Sequence, residues 1–297
     1  MKIEKPKMTA GRLLVYALLS LLAVLILVPL AWVILASLKQ NSEFYGNPWV
    51  LPQTLYFQNY KDAWTTARMG DFFLNSVLST AIGIALLLVL ALPAAYVLSR
   101  FKFKLRPVIN TLLKAGLFIN VSYIIVPIFL MLIDGEKALR AWGWLGKGES
   151  AFLNNMVSLG LVYASTALPF TIYLLSGYFA GLPKAYEEAA YIDGATNAQT
   201  MVRIMFPLAK PSIITVILFN FLAFWNEYVI AMTLLSDPKG PKTLSVGLMN
   251  LMKAQNAAAN YGQMYAGLVI ILLPTLILYI FVQKKLTQGM TLGGLKG

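Results

Sequence analysis

One acidic side chain lies inside a long apolar stretch and has polar and aromatic neighbours at helical spacing. Asn220 and Phe224 precede Glu227 by seven and three residues, so a helix places all three on one face. A carboxylate, an amide and an aromatic ring are groups that bind a sugar, through hydrogen bonds and stacking. An ionisable group at this depth costs about 3 kcal/mol and is a functional candidate. A hydrogen bond between helices, or a position near the outer interface, would also explain Glu227.

Polar residues in two other apolar stretches could belong to the same candidate binding site and form a substrate path with it. Tyr123 follows Asn120 in one stretch, and Asn154, Asn155 and Ser158 lie at the start of another. These side chains could line the same route, and hydrogen bonding between helices would explain them equally well.

The segment 181–211 separates two apolar stretches and has the pattern of two short helices. Pro183 suits the first position of a helix, and Glu187 and Glu188 lie in the early turns, where the helix dipole favours acids. Gly194 is placed to end this helix in left-handed geometry. We therefore expect a first short helix that ends at Gly194.

The first short helix is expected to have an apolar face, and the second is defined by its cap and by a proline. Ala185, Ala189 and Ile192 recur at helical spacing and form one small apolar face on the first helix. Asn197 is placed to cap the second helix, which Pro207 breaks. A small apolar face flanked by acids suits docking into a groove on a partner, and from composition alone it equally suits a helix lying on the bilayer.

The residue types that are missing exclude several classes of chemistry. The chain has no cysteine and no histidine, which excludes disulfides, zinc and iron–sulfur sites, cysteine nucleophiles and histidine-based triads. The phosphate-binding pattern G-x-x-x-x-G-K-[ST] is also absent, because Gly148 follows Gly146-Lys147 and Pro241 follows Gly240. We expect a chain that is not an enzyme and has no metal or cofactor of its own.

The composition is that of a membrane protein. Of the 297 residues 59% are hydrophobic and 12% are charged, whereas about 25% are charged in a soluble domain. A helix needs about 20 apolar residues to cross a bilayer. We predict an all-α, polytopic membrane protein with six transmembrane helices, of which the third is the weakest because Lys114 lies in its first turns. The predicted spans are 13–37, 72–98, 108–133, 152–180, 211–235 and 262–283.

The distribution of charge predicts that both termini are cytoplasmic. With the N-terminus inside, the inner segments hold 15 of the 24 basic residues and the outer segments hold seven of the 12 acids. The net charge of +12 therefore needs no nucleic-acid partner. The run Arg100–Arg106 is a topology anchor, or a site for anionic lipid or a partner. The chain divides into a cytoplasmic segment 1–12, a six-span domain 13–283 that includes the loop 181–211, and a cytoplasmic tail 284–297.

Two predicted outer loops have features beyond those of a simple connection between helices: one is rich in aromatic residues and the other is long. The loop 38–71 is rich in aromatic residues such as Trp49, Tyr60 and Trp64, which predicts a belt at the membrane interface. The loop 236–261 is too long for a tight connection between helices, so we expect it to bind something or to be disordered.

A multi-point pattern crosses the loop 181–211. It consists of Glu188, Ala189, Ala190, Gly194, Ile204 and Pro207, at the spacing E-A-A-x3-G-x9-I-x-L-P. This loop resembles the EAA loop of bacterial ABC importer permeases. Phe206 stands where that family prefers leucine, and both residues are bulky and apolar.

Other segments are similar to one branch of that family, the carbohydrate permeases of the maltose-transporter type. The resemblance runs from about residue 13 to the C-terminus, although these motifs are individually weaker than the EAA loop. The similar segments are Leu51-Pro52 with Asn59-Tyr60, Phe73–Ser76, Trp225–Tyr228 and Gln288–Gly297.

The resemblance implies a permease subunit of an ATP-driven, binding-protein-dependent importer for a sugar or oligosaccharide, in a bacterial or archaeal plasma membrane. It implies a second permease, two ATP-binding subunits that hold ATP and magnesium, an extracytoplasmic substrate-binding protein that meets the loop 236–261, and contact with membrane lipid. The tail is implied to reach the ATPase through Gly293, Gly294 and Lys296. The residues implied in coupling and ATPase docking are Glu187, Glu188, Ala189, Ala190, Asp193, Gly194, Ile204 and Pro207.

Two other classes of membrane protein serve as alternatives. An ion-coupled secondary transporter of small polar solutes would need a chain of buried acids or histidines and inverted repeats, whereas Glu227 is a single acid and no repeat is visible. A membrane-embedded enzyme would need a catalytic constellation, for which paired intramembrane carboxylates, histidine and cysteine are absent.

Overall fold

The computed structural model describes residues 10–45, 47, 49–146, 148–258 and 260–294, and 77% of it is helical, with no strand in those residues. The helices before the loop 181–211 are α1 (Ala10–Ser37), α2 (Gln58–Trp64), α3 (Met69–Arg100), α4 (Arg106–Gly116), α5 (Val121–Ala141) and α6 (Met156–Gly181). The later helices are α7 (Ala185–Ile192), α8 (Asn197–Thr200), α9 (Phe206–Leu208), α10 (Lys210–Trp225), α11 (Val229–Leu234), α12 (Leu244–Ala258) and α13 (Tyr261–Gly294).

The membrane-spanning helices agree with a polytopic, all-α architecture. Among the described residues, four helices are each long and apolar enough to cross a bilayer, namely α1, α3, α6 and the Tyr261–Gln283 part of α13. The number rises to six if each of two bent pairs is one span. These pairs are α4 with α5, bent by 107°, and Asn197–Leu208 with α10, bent by 73°. The predicted fold class is confirmed.

The predicted third span, 108–133, is two helices rather than one. α4 ends at Gly116, and α5 begins after Asn120, whose side-chain oxygen accepts a hydrogen bond from the N–H of Ser122 at 2.9 Å. An asparagine at this position satisfies a free N–H of the first turn and so starts a new helix. The apolar stretch therefore changes direction where the sequence suggested a continuous helix.

The predicted fifth span, 211–235, is also interrupted. α10 ends at Trp225, and α11 begins at Val229. The carboxylate of Glu227 accepts hydrogen bonds from the N–H groups of Ile230 and Ala231, at 2.7 and 2.9 Å, which fixes the start of α11. The break arises because the acidic side chain bonds the backbone of the following turn.

The loop 236–261, which the sequence predicts to be an outer loop, is largely helical, since α12 fills residues 244–258. The chain before α12 is held by Lys242, whose buried ammonium donates hydrogen bonds to the carbonyl oxygens of Leu235 and Asp237. Burial lowers the pKa of Lys242, and the charge of Asp237 opposes that shift. The expectation of disorder in this loop is wrong for its described residues.

The chain folds into two compact units, and each is described by itself. One unit combines the chain up to Met69 with Leu248–Leu272, and the other combines Gly70–Gly247 with the chain from Leu273 onward.

In the first unit, the loop after α1 folds back on the end of that helix. The Asn59 side chain donates hydrogen bonds to the carbonyl oxygens of Ser37 and Lys39, at 2.9 and 2.8 Å. The Tyr60 hydroxyl lies 2.6 Å from Ser37 Oγ, and the buried ammonium of Lys39 lies 4.6 Å from the ring centre of Trp32. The half-buried Tyr60 therefore anchors the loop to the end of α1, and the predicted interface belt stays a prediction.

In the second unit, α3 and α6 pack closely because small residues face each other. A Cβ added at Gly160 of α6 would lie 2.6 Å from Ile82 Cγ2, and one added at Gly83 of α3 would lie 3.3 Å from Tyr163 Cβ. Ala91 and Ala95 of α3 are fully buried in the same core. This close packing makes α3 and α6 the rigid support of the segment that follows α6.

Candidate functional site

The first helix of the loop 181–211 is α7, and local sequence determines where it ends. Asp193 is its C-terminal cap, and Gly194 follows with a φ of +80°, the left-handed conformation that favours glycine. The N–H of Ala195 donates to the carbonyl of Ala190 at 2.9 Å, and the N–H of Gly194 donates to that of Tyr191 at 3.1 Å. The prediction for Gly194 is confirmed. Pro183 lies before the helix, not at its first position.

The two adjacent acids of α7 have different environments. Glu187 is 8% exposed, and its Oε1 accepts a hydrogen bond from the Tyr96 hydroxyl at 2.8 Å. The Nε atom of Arg100 lies 3.5 Å from the same oxygen and forms a buried ion pair. Glu188 is exposed. Glu187 therefore attaches α7 to the end of α3, while Glu188 points away from the protein.

A second contact links Arg100 to the chain between α6 and α7. The Nη2 atom of Arg100 donates a hydrogen bond to the carbonyl oxygen of Leu182 at 2.7 Å, just before α7. Arg100 thus contacts both the chain that enters α7 and the acid on α7. The contacts of Tyr96 and Arg100 with α7 were not predicted from the sequence, although their spacing of four residues places two polar groups on one face at the end of an apolar helix.

The predicted apolar face of α7 is not covered by the described chain. Ala185 and Ala189 are exposed, and Ile192 is 87% exposed. Ala190 lies on the opposite side and is buried. α7 therefore has one face fixed to the protein and one small apolar face that is free for a partner.

The second helix is capped by Thr196 rather than by Asn197 as predicted. The Thr196 side chain accepts from the N–H of Gln199, whose side chain accepts from the N–H of Thr196. This reciprocal pair is a capping box, which satisfies two backbone donors at once. Asn197 instead accepts a hydrogen bond from the Tyr191 hydroxyl at 2.9 Å, which links the second helix to α7.

The helix from α8 to α9 contains a widened turn. Residues Met201–Met205 are π-helical, immediately before the proline at 207, which has no N–H to donate. In the predicted docking set, Ile204 is half-buried and Pro207 is exposed, as are Asp193 and Gly194.

The candidate substrate group around Glu227 is compact and internally bonded. The Phe224 ring stacks on Tyr163 with centroids 5.0 Å apart, and the Tyr163 hydroxyl donates to Glu227 Oε2 at 3.2 Å. Asn220 is buried and donates to Thr171 Oγ1 at 3.2 Å and to the Val216 carbonyl at 2.8 Å. The polar groups are thus paired with each other and with the backbone.

Other predicted site residues lie elsewhere or outside the description. Tyr123, on α5, is 81% exposed and is not part of the group around Glu227. Gly293 and Gly294 are the last residues of α13, which continues past the predicted end of the sixth span at 283. Lys296 lies outside the described residues.

Comparison with known proteins identifies related chains. Residues 87–291 match the family model described as the binding-protein-dependent transport system inner membrane component. The diacetylchitobiose uptake system permease protein NgcG of Streptomyces coelicolor is 34% identical over 94% of this chain and 87% of its own length. The melibiose/raffinose/stachyose import permease protein MelC of Bacillus subtilis is 28% identical over 98% of this chain and all of its own length.

The fold also matches a solved structure. One chain of a bacterial ABC transporter involved in the import of the acidic polysaccharide alginate superposes with a TM-score of 0.76, over 94% of this chain and 99% of that chain. The sequence identity is 23%, so this match describes the fold.

Proposed function

The chain belongs to the family of binding-protein-dependent transport system inner membrane components, and we propose that it is the permease subunit of an ATP-driven importer for a sugar or oligosaccharide. Its relatives are named for uptake of diacetylchitobiose and of melibiose, raffinose and stachyose, which supports a carbohydrate substrate. Family membership argues against the ion-coupled transporter and the membrane enzyme considered from the sequence.

The free face of α7 is the observation that carries the proposed coupling role. Ala185, Ala189 and Ile192 form an exposed apolar surface, and the exposed acid Glu188 flanks it. A helix with a free apolar face on one side and a buried ion pair on the other suits a docked element that transmits force. We infer that α7 binds a cleft on a separate ATP-binding subunit, which would hold the ATP and magnesium.

A charge reversal at Glu188 tests this coupling role. Glu188→Lys should abolish ATP-driven uptake and reduce recovery of the ATP-binding subunit by pull-down, while the chain remains inserted. Asp134→Lys is the control for charge reversal, because Asp134 is also an exposed acid, with a side chain 71% accessible, lies far along the chain in α5 and pairs with Lys137 of the same helix. Normal recovery of the ATP-binding subunit with Glu188→Lys would contradict the docking role.

We further propose that Asn220, Phe224 and Glu227 contact the substrate during transport. Tyr163 contacts both groups, because its ring stacks on Phe224 and its hydroxyl donates to Glu227. A carboxylate and an aromatic ring held close together can bind a sugar by hydrogen bonding and stacking. In the described conformation the Phe224 ring is covered by Tyr163, so substrate contact requires Tyr163 to move away. Tyr123 would belong to a different part of the route.

The proposed assembly contains a second permease, two ATP-binding subunits and an extracytoplasmic binding protein, with both termini of this chain in the cytoplasm. The natural absence of cysteine makes the orientation directly testable. Lys102→Cys should react with a membrane-impermeant maleimide only in inverted vesicles, and Lys239→Cys only in intact cells. The opposite pattern of labelling would overturn the proposed orientation.

A further inference from the structure

A half-open cavity of about 370 Å³ lies where the end of α3 meets α4 and the second half of α6. It is separate from the α7 surface and from the group around Glu227. We propose that this cavity binds the headgroup of a phospholipid with net negative charge, such as phosphatidylglycerol, with an acyl chain along its apolar wall. The proposal does not depend on which solute the protein transports.

The polar side of the cavity is formed by one face of α4. Arg106, Asn110 and Lys114 recur every four residues along that helix and line the cavity together. Arg106 is held in place, because its Nε donates to the carbonyl of Leu98 at 2.8 Å and its Nη2 approaches that of Ser99 at 3.4 Å. Its position is therefore set by the end of α3, and the remaining guanidinium N–H groups are available for a phosphate.

The charge of this region selects an anion. The sequence has no acidic residue between Asp71 and Asp134, while five basic residues lie from Arg100 to Lys114. Two cationic side chains at one cavity, Arg106 held by the end of α3 and Lys114 exposed at the rim, favour a headgroup whose phosphate charge is not balanced by an amine. A zwitterionic lipid would place its own cation against Arg106 and Lys114.

The opposite side of the cavity suits an acyl chain. Ile172 and Leu174 of α6 provide the apolar lining on that side, and Leu113 adds an apolar group on the α4 side. The outer face of α4 is apolar and open, since Val108 is 53% and Leu112 is 66% exposed, which fits a helix bordered by lipid. A cationic end beside an apolar wall is complementary to an amphiphile and not to a free phosphate ion.

Glycine positions allow the cavity to be filled selectively. Gly177 lines the cavity, and a Cβ added there would meet no other atom within 4 Å, so a side chain enters open space. Gly181, one turn further along α6, is equally open and does not line the cavity. Gly177→Leu therefore has a matched control in Gly181→Leu.

The test is lipid retention by the full-length chain, purified in detergent and titrated with phosphatidylglycerol or phosphatidylcholine in native mass spectrometry. We expect preferential retention of phosphatidylglycerol. Lys114→Gln should weaken it about fivefold, and Gly177→Leu should remove it. Gly181→Leu and Lys104→Gln should retain wild-type binding, because Lys104 lies in the same basic run but outside the cavity.

Several results would overturn the proposal. Equal retention of the two lipids would exclude charge selection, and equal weakening by Lys104→Gln would indicate diffuse surface charge. Competition by millimolar glycerol phosphate as effective as that by intact phosphatidylglycerol would show that the acyl chain adds nothing. If Gly177→Leu left lipid retention unchanged but prevented co-purification of the second permease, the cavity would be a subunit interface. The Lys114→Gln result decides the matter if Gly177→Leu fails to fold.

Discussion

The contact between Tyr96 and Glu187 leads to a quantitative prediction for coupling. Tyr96→Phe removes the hydroxyl that donates to the buried Glu187 carboxylate at 2.8 Å and changes no other atom. The carboxylate stays beside Arg100 at 3.5 Å but loses its shortest hydrogen bond. A hydrogen bond to a buried charged group contributes roughly 1.5–3 kcal/mol. Detachment of α7 from α3 should therefore become easier by about 2 kcal/mol.

Hydrogen exchange measures this change directly. Because 1.4 kcal/mol corresponds to tenfold in an equilibrium constant, about 2 kcal/mol raises the open population of α7 about 30-fold. The amides of α7 in the full-length chain in lipid nanodiscs should exchange faster by about that factor. In the assembled importer, ATP hydrolysis should become less dependent on substrate, because a loosely held α7 transmits less movement to α3.

A second tyrosine of the same unit provides the control. The Tyr178 hydroxyl donates to the carbonyl of Leu208 at 3.1 Å, so Tyr178→Phe makes the same chemical change at a neutral acceptor. It should loosen the α9–α10 junction and leave α7 protected. Unchanged exchange in α7 with Tyr96→Phe, or equal acceleration with Tyr178→Phe, would refute the reasoning.

Three other substitutions test packing, substrate contact and the outer helix. Gly160→Ala should lower stability by about 1–3 kcal/mol in thermal unfolding, because its Cβ would lie 2.6 Å from Ile82, whereas Gly177→Ala meets open space and should be neutral or stabilising. Glu227→Gln should reduce uptake and weaken the start of α11, since an amide offers one acceptor oxygen where the carboxylate uses two; an unaltered uptake curve would leave Glu227 a packing role. Lys253→Glu, at an exposed position of α12, should reduce stimulation of ATP hydrolysis by the binding protein without affecting basal hydrolysis, and normal stimulation would argue against α12 as the contact.

Features that depend on a few neighbouring residues were predictable. Gly194 ends α7 because a glycine is the residue that adopts a φ of +80° without strain, which is a local property. The predicted cap Asn197 was wrong: the preceding Thr196 also has a side chain that caps helices, and the capping box with Gln199 selects the threonine. The bend after Gly116 was missed because hydropathy measures how apolar a stretch is and contains no information about direction.

The sequence by itself determined that this protein is a helical membrane protein and that a two-helix segment follows the fourth span, and it contains no G-x-x-x-x-G-K-[ST] pattern. These conclusions follow from composition and from spacing along one chain. Only the tertiary structure decided which of two adjacent acids is attached to the protein, because neighbouring residues on a helix point about 100° apart and the position of α3 determines which one is buried. For the same reason, the pairing of Glu227 with Tyr163 depends on how α6 packs beside the break between α10 and α11.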